Sequence, residues 1–319
     1  MHFGSCLVIQ SSFVVLFFVA TPTSRQAGAS PAFGHFCRLL WRLLIVCWLT
    51  ALVSGFLWVW LAIAGMSGSD LSDALQPSLF SMVLFQTQPG HVWLVRAALA
   101  VLLVAALFLV PKTDSKWADI SPASMFGAVA ATLLTASLAW LGHAGASDGP
   151  DQKFQLSSDI VHLIAAGIWP AGLVPLAIFL RCFLKSGDPS SLLAACMATR
   201  RFSVLSIGAV AMLALSGVAN SYYLLGSFRA LLTTEYGRWL TLKLAFFAAT
   251  VGIGAWNLFL CRSRLMLAGE PVTTDLEGAA LGKVARNVLI EITLSTAIVL
   301  VVGQLGILPP AAHSLSIGP

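Results

Sequence analysis

The sequence predicts an all-α polytopic membrane protein of about eight transmembrane helices with both termini on the outer side, and three observations carry that reading. Charge is scarce: 18 Lys plus Arg and 13 Asp plus Glu in 319 residues, or 10% charged side chains, where soluble domains carry ~25%. Hydrophobic residues make up 58% of the chain and the mean hydropathy is +0.89, which excludes a soluble fold of this size and also disorder, whose signature is low hydrophobicity. Uncharged apolar runs of the ~20 residues needed to cross a bilayer recur along the whole length.

The runs are Phe3–Ala20, Leu43–Gly65, Val92–Val110, Ala123–Gly142, Ile160–Leu180, Ser203–Leu225, Trp239–Leu260 and Val288–Leu308. The first resembles a signal peptide in position, but no Lys or Arg precedes it and Thr21-Pro22-Thr23 follows; without a basic n-region it reads as a retained span. Arg96, Lys243 and Glu291 interrupt the third, seventh and eighth runs. The segment Leu71–Gln86 is too polar to span, with Asp73, Gln76 and Pro77, and suits a short helix lying on the outer face. No internal repeat, low-complexity tract or separate domain is evident, so residues 1–319 read as a single transmembrane domain.

Orientation follows from the basic residues. With the N-terminus outside, the inner loops and helix ends hold Arg25, Arg38, Arg42, Lys112, Lys116, Arg181, Lys185, Arg200, Arg201, Arg262, Arg264, Lys283 and Arg286, which is 13 of the 18. The outer loops hold only Lys153, Arg229 and Arg238. Positive loops stay in the cytoplasm, so the net charge of +5 reports topology and not nucleic-acid binding. The six Cys show no CxxC and no paired spacing, which argues against a disulfide framework. Phosphate-cradling Gly loops and HExxH are missing, and no catalytic role is expected.

Ionisable groups inside spans are expensive and are functional candidates by default. They fall into two layers: Arg96, His143, Asp159, His162, Asn220 and Lys243 near the outer face, and Arg201, Asn257 and Glu291 near the inner face. Five of the six histidines lie at or near the outer face: His2, His91, His143, His162 and His313. Neutral imidazole is a ligand for copper and other borderline metals. His143 and His162 lead as ligands. Asp159, His162 and Trp169 share a helix face by their spacing of three and seven, and a carboxylate beside an imidazole orients it. His2, His91, Met66 and Met82 are weaker candidates, since lone histidines sit at interfaces and Met is a general apolar filler. Arg96 and Lys243 are expected to pair with Asp159 or outer-loop acids, and Glu291 with Arg201, Arg286 or Asn257.

Taken in order, Gln86-Thr87-Gln88 with Trp93, Gly142-His143-Ala144, His162-Leu163 with Trp169, Gly172-Leu173 and Pro175, Arg201-Phe202-Ser203, Ser216-Gly217 with Asn220, Leu232-Thr233-Thr234 with Tyr236-Gly237, Lys243, Asn257 and Glu291 form a pattern that resembles the CopD copper-resistance family of bacterial inner-membrane proteins. His2-Phe3 with Ser5 is similar to that family's first helix. The resemblance implies eight helices in the bacterial inner membrane, copper as the transported or bound ion, a CopC-like periplasmic copper-binding partner, and His143 and His162 as ligands. It departs from the family at Trp169-Pro170-Ala171-Gly172-Leu173, where Trp-x-Gly-Gly-Leu is usual; Pro170 is expected to break the helix there. Two other functions fit the same residues: a membrane redox protein with haem held between two histidines, and a factor that delivers copper to an oxidase.

Overall fold

The computed structural model describes residues 1–28, 30–109, 120–142, 145, 150–265 and 274–309. Every regular element among them is helical, and eight helical segments are long and apolar enough to cross a membrane. In chain order the elements are α1 (His2–Ala27), α2 (Pro31–Ser67), α3 (Pro77–Gln86), α4 (Gln88–Leu109) and α5 (Ile120–Ala136, prolonged by a 3-10 turn over Ser137–Leu141). They continue as α6 (Gln152–Ile168), α7 (Leu173–Ser186), α8 (Pro189–Leu225), α9 (Ala230–Thr233), α10 (Glu235–Leu265) and α11 (Thr274–Leu305). The helices α6 and α7 make one interrupted span, and α3 is the short apolar helix expected in the first outer loop.

The spans run further than their apolar cores. The helices α2 and α8 are each 37 residues long, about 55 Å at 1.5 Å per residue, against a hydrocarbon core of ~30 Å. The excess on α2 carries Arg38 and Arg42, and on α8 Arg200 and Arg201. Both helices start from a side-chain cap followed by proline: Ser30 Oγ accepts from Ala32 N at 3.2 Å, and Asp188 Oδ1 accepts from Ser191 N at 2.8 Å, satisfying donors that have no partner within the helix. Ser186 and Ser190 also donate to the Asp188 carboxylate, and together these bonds hold its pKa below the ordinary carboxylate range.

The first span is not stopped by Pro22. A π turn over Leu16–Ala20, with Thr21 N bonding to Leu16 O, precedes the proline, and the helix then continues to Ala27. This span lies in the middle of the bundle and touches α2, α5, α6 and α7. Phe13 at its centre is fully buried, and Gln10 donates to Ile164 O of α6 at 3.2 Å. Towards the basic end, Phe36 of α2 meets Phe179 of α7 edge-on, and Phe179 stacks on Phe183 at 4.1 Å. Lipid is as apolar as these side chains, so close packing and buried hydrogen bonds hold the helices together.

No repeat is evident in the sequence, yet the first four spans and the last four follow one plan. Each half has a first span, a 37-residue second helix ending on a left-handed glycine (Gly68, φ 64°; Gly226, φ 68°), a short helix, and then two more spans. Each short helix joins the next span through an extended threonine. Thr87 Oγ1 donates to Val83 O and accepts from Gly90 N at 3.1 Å. Thr234 Oγ1 donates to Ala230 O and accepts from Gly237 N at 3.0 Å. A Cβ on Gly90 or on Gly237 would run into the backbone of the preceding short helix, so only glycine lets the two helices close up. A buried or half-buried cation follows nine residues after each threonine, Arg96 in one half and Lys243 in the other.

Candidate metal-binding sites

The N-terminal half gathers polar groups around His2. Its Nδ1 lies 2.9 Å from Ala51 O of α2, a pure acceptor, so Nδ1 carries the proton and Nε2 the lone pair. Ser54 Oγ is 3.4 Å from the same Nδ1. The lone pair accepts from Arg96 Nη2 at 2.6 Å, and the same Nη2 lies 3.4 Å from Cys6 Sγ. Arg96 Nη1 donates to Leu134 O at 2.8 Å and to Ser137 Oγ at 2.6 Å on α5. Cys6, one helical turn after His2, places its sulfur 3.9 Å from Nε2. Trp58 and Trp93 pack on the imidazole with centroids at 5.9 and 5.4 Å, and Trp93 also lies under the guanidinium, 5.2 Å from Arg96 Cζ. Cys6 is fully buried and Arg96 is 2% exposed.

The C-terminal half repeats the arrangement around His162. Its Nδ1 lies 2.9 Å from Ser216 Oγ on α8. That hydroxyl spends its one proton on Met212 O at 2.6 Å, so it accepts from Nδ1–H and leaves Nε2 as a lone pair. The ring also meets the backbone of Leu213, and no side chain among the described residues hydrogen-bonds Nε2. The serine precedes a glycine in both halves, Ser54-Gly55 and Ser216-Gly217, and the glycine faces the imidazole: a Cβ would stand 3.0 Å from His2 Cε1 at Gly55 and 3.6 Å from His162 Cε1 at Gly217.

Asp159 does not orient His162. Its carboxylate accepts instead from Asn220 Nδ2 at 3.4 Å, and Ser216 takes the orienting role. Lys243 of α10 lies within electrostatic reach of both Asp159 and His162, as the sequence anticipates for Asp159. Arg96 hydrogen-bonds His2 and Cys6 in the other half. His143 falls outside the described residues; its neighbour Gly142 lies beside Asp159, whose Oδ2 is 3.6 Å from the position of a Cβ there. His91 is exposed and closes a local turn, with Nε2 3.0 Å from Phe85 O. Met66 and Met82 are 54 and 46% exposed. Among the described residues no three His, Cys, Asp or Glu side chains converge, so each nest offers at most a pair of such donors.

Trp169 ends α6 at the break that Pro170 imposes; its N–H still reaches Ala165 O at 3.1 Å and its side chain is 3% exposed. Deeper in the same half, Asn257 Nδ2 donates to Glu291 Oε1 at 2.6 Å and Asn287 Nδ2 to Asn257 Oδ1 at 2.7 Å. This is the asparagine pairing expected for Glu291; Arg201 bonds Gln26 instead. The Trp169 ring and Glu291 Oε2 face each other across Gly254, 3.7 and 3.5 Å from the place of a Cβ. Asn287 also lines an opening of about 490 Å³ between α10 and α11, with Lys283 and Arg286 beside it.

Cys6, Ser54 and Ser137 were not singled out by sequence, and Ser216 entered only within the family pattern, with no role attached to it. Among the first three, Cys6 alone carried a signal, its spacing of four from His2 on one helix face.

Two family models match the chain: "Copper resistance protein D-like, N-terminal domain" over residues 1–153 and "Copper resistance protein D" over residues 196–305. Among curated proteins the chain is similar to "Copper resistance protein D" of Pseudomonas syringae pv. tomato, 32% identical over 180 residues, or 56% of each chain. It is also similar to "Copper transport protein CutJ" of Bacillus subtilis (strain 168), 30% identical over 62% of this chain and 35% of that one. A third relative is "Inner membrane protein YebZ" of Escherichia coli (strain K12), 29% identical over 63% of this chain and 64% of that one. The matches thus span between about a third and two thirds of these relatives' lengths. The two models leave residues 154–195 between them and together cover more than four fifths of the chain, and on that combined match the chain belongs to the copper resistance protein D family.

Proposed function

We propose that this protein carries or handles copper across the bacterial inner membrane, with the ion as cargo, met at the outer face by His162 and received from a CopC-like periplasmic protein. The observation that carries the reading is the state of His162: Nδ1–H is fixed on Ser216, and no side chain among the described residues hydrogen-bonds Nε2. That is how metal-binding imidazoles are held, with one nitrogen anchored so that the other presents its lone pair. The names of two relatives, a copper transport protein and a copper resistance protein, support copper as the ion. His143 is proposed as the second ligand, next to Gly142 at the Asp159 carboxylate. From there the ion would pass Trp169 towards Glu291, Asn257 and Asn287 at the basic end.

The test is copper accumulation in cells expressing the protein at normal level. His162→Ala should reduce copper-dependent accumulation at least tenfold, in line with the 10–100-fold that even outer-shell partners contribute to metal sites. Unchanged accumulation with normal membrane levels of the variant would remove His162 from the path.

A further inference from the structure

The repeated plan places a second imidazole in the N-terminal half in the position that His162 holds in the C-terminal half. Both histidines lie at the outer end of their half's first span. Both give Nδ1–H to an acceptor on the second helix, and both lie against a Ser-Gly pair there. Both have the cation of the third span nearby, Arg96 in one case and Lys243 in the other. What differs is the second donor. One turn after His162 stands Ala166; one turn after His2 stands Cys6.

We propose that His2 Nε2 and Cys6 Sγ form a second metal site, for Cu(I), in the N-terminal half. The inference rests on copper being the cargo. The two donors are 3.9 Å apart; bonds of about 2.0 Å to nitrogen and about 2.3 Å to sulfur, as for zinc, reach across that gap. Thiolate selects soft Cu(I), a d¹⁰ ion satisfied by two ligands, and no third His, Cys, Asp or Glu is required or present among the described residues. Binding breaks the Cys6 S–H bond, forms S–Cu and N–Cu bonds, and releases one proton to solvent. A monovalent ion on a thiolate adds no net charge to a buried site, which is the cheapest way to hold metal there.

Arg96 closes the site. Its Nη2 now holds the Nε2 lone pair at 2.6 Å and lies 3.4 Å from the sulfur. Nη1 is tied separately to Leu134 O and Ser137 Oγ, so the guanidinium can swing Nη2 off the donors without losing its anchor on α5. Trp58 and Trp93 pack on the imidazole.

The experiment uses the full-length protein purified in detergent, loaded with Cu(I) without oxygen, desalted and analysed for copper per chain, with X-ray absorption on the same samples. Wild type should hold two ions, Cys6→Ser one, His162→Ala one, and the double variant none. Copper–sulfur scattering should be present in wild type and His162→Ala and lost in Cys6→Ser. One ion per chain that is lost with His162→Ala and kept with Cys6→Ser overturns the second site and leaves the proposed function standing. No copper in the wild type overturns both. Because a buried serine can unsettle α1, the wild-type spectrum is read independently: two ions without sulfur scattering also overturn the assignment.

Discussion

At His2 the ring proton goes to a backbone carbonyl of α2 and the lone pair is taken by Arg96. At His162 the ring proton goes to Ser216 and the lone pair has no side-chain partner among the described residues. The cations differ in the same sense. Arg96 hydrogen-bonds Leu134 O, Ser137, His2 and Cys6, while Lys243 acts on Asp159 and His162 through its charge alone among the described residues. The guanidinium fork can hold several acceptors at once in fixed directions; an ammonium is a mobile point charge. One half is therefore locked by its cation, and the other is left open beside its cation.

The largest expected effect tests that lock. Arg96→Ala takes the guanidinium donor from four buried acceptors and should cost about 3–5 kcal/mol, as leaving several buried acceptors unsatisfied does. Lys243→Ala, which removes no hydrogen bond among the described residues, should cost less than half as much. Thermal unfolding of both variants in one detergent makes the comparison, and equal losses would break it. Arg96→Lys should not recover the loss, because a single ammonium cannot reach both α1 and α5 acceptors in the fork geometry.

The next effect concerns what orients each imidazole. Ser216→Ala leaves Nδ1–H of His162 without its hydroxyl acceptor and should weaken copper binding 10–100-fold, the usual penalty for losing an outer-shell partner. Ser54→Ala should change binding by less than about threefold, because His2 Nδ1 keeps Ala51 O at 2.9 Å and a spare contact at 3.4 Å is worth little. Competition titrations against a Cu(I) chelator measure both, and a larger loss with Ser54→Ala would reverse the assignment of the orienting groups.

The smallest effect lies at the basic end, where the long helices of the two halves begin. Asp188→Ala removes the cap of α8 and should cost about 1 kcal/mol, and Ser30→Ala at the start of α2 about the same. They part in pH. Asp188 has its folded pKa lowered by hydrogen bonds from Ser190, Ser186 and Ser191, so its contribution is present above the unfolded carboxylate value of about 3.9 and is lost as pH falls through the lower folded value. The Ser30 cap does not titrate. Unfolding midpoints compared at neutral and strongly acid pH should show the Asp188→Ala difference shrinking while the Ser30→Ala difference persists.

Much of the architecture is legible in the sequence because lipid imposes it. A span needs ~20 uncharged residues whatever it packs against, so all eight could be read from hydropathy, as could the outer helix Pro77–Gln86 and the break at Pro170. Helix ends were harder. Charged residues such as Arg38 and Arg42 end an apolar run but not a helix, so α2 begins at Pro31 and not at Leu43. The continuation of α1 through Pro22 was hidden because one extra residue in a π turn accommodates the missing N–H. The halves' common plan was hidden because so few positions carry it: a threonine, a glycine three residues on, a cation six further, a Ser-Gly pair. The serine even sits about one turn further along α8 than Ser54 along α2. His162 stood out as an imidazole in an apolar span; the role of Ser216 did not, since serine is common in membrane helices and its contact with His162 crosses 54 residues of chain.

The interruption at Trp169–Gly172 bears on mechanics as well as chemistry. Pro170 offers no N–H, and Ala166 O is taken by Ala171 N one residue late, at 3.2 Å. The span is thus jointed into two short rods, α6 against α1, α5 and α8, and α7 against α1, α2, α8 and α11. The rod that carries His162 is seated separately from the rod whose Phe179 and Phe183 pack with Phe36. Trp169, 3% exposed, sits at that joint, so the one indole that faces Glu291 across Gly254 is also the residue where the two rods meet.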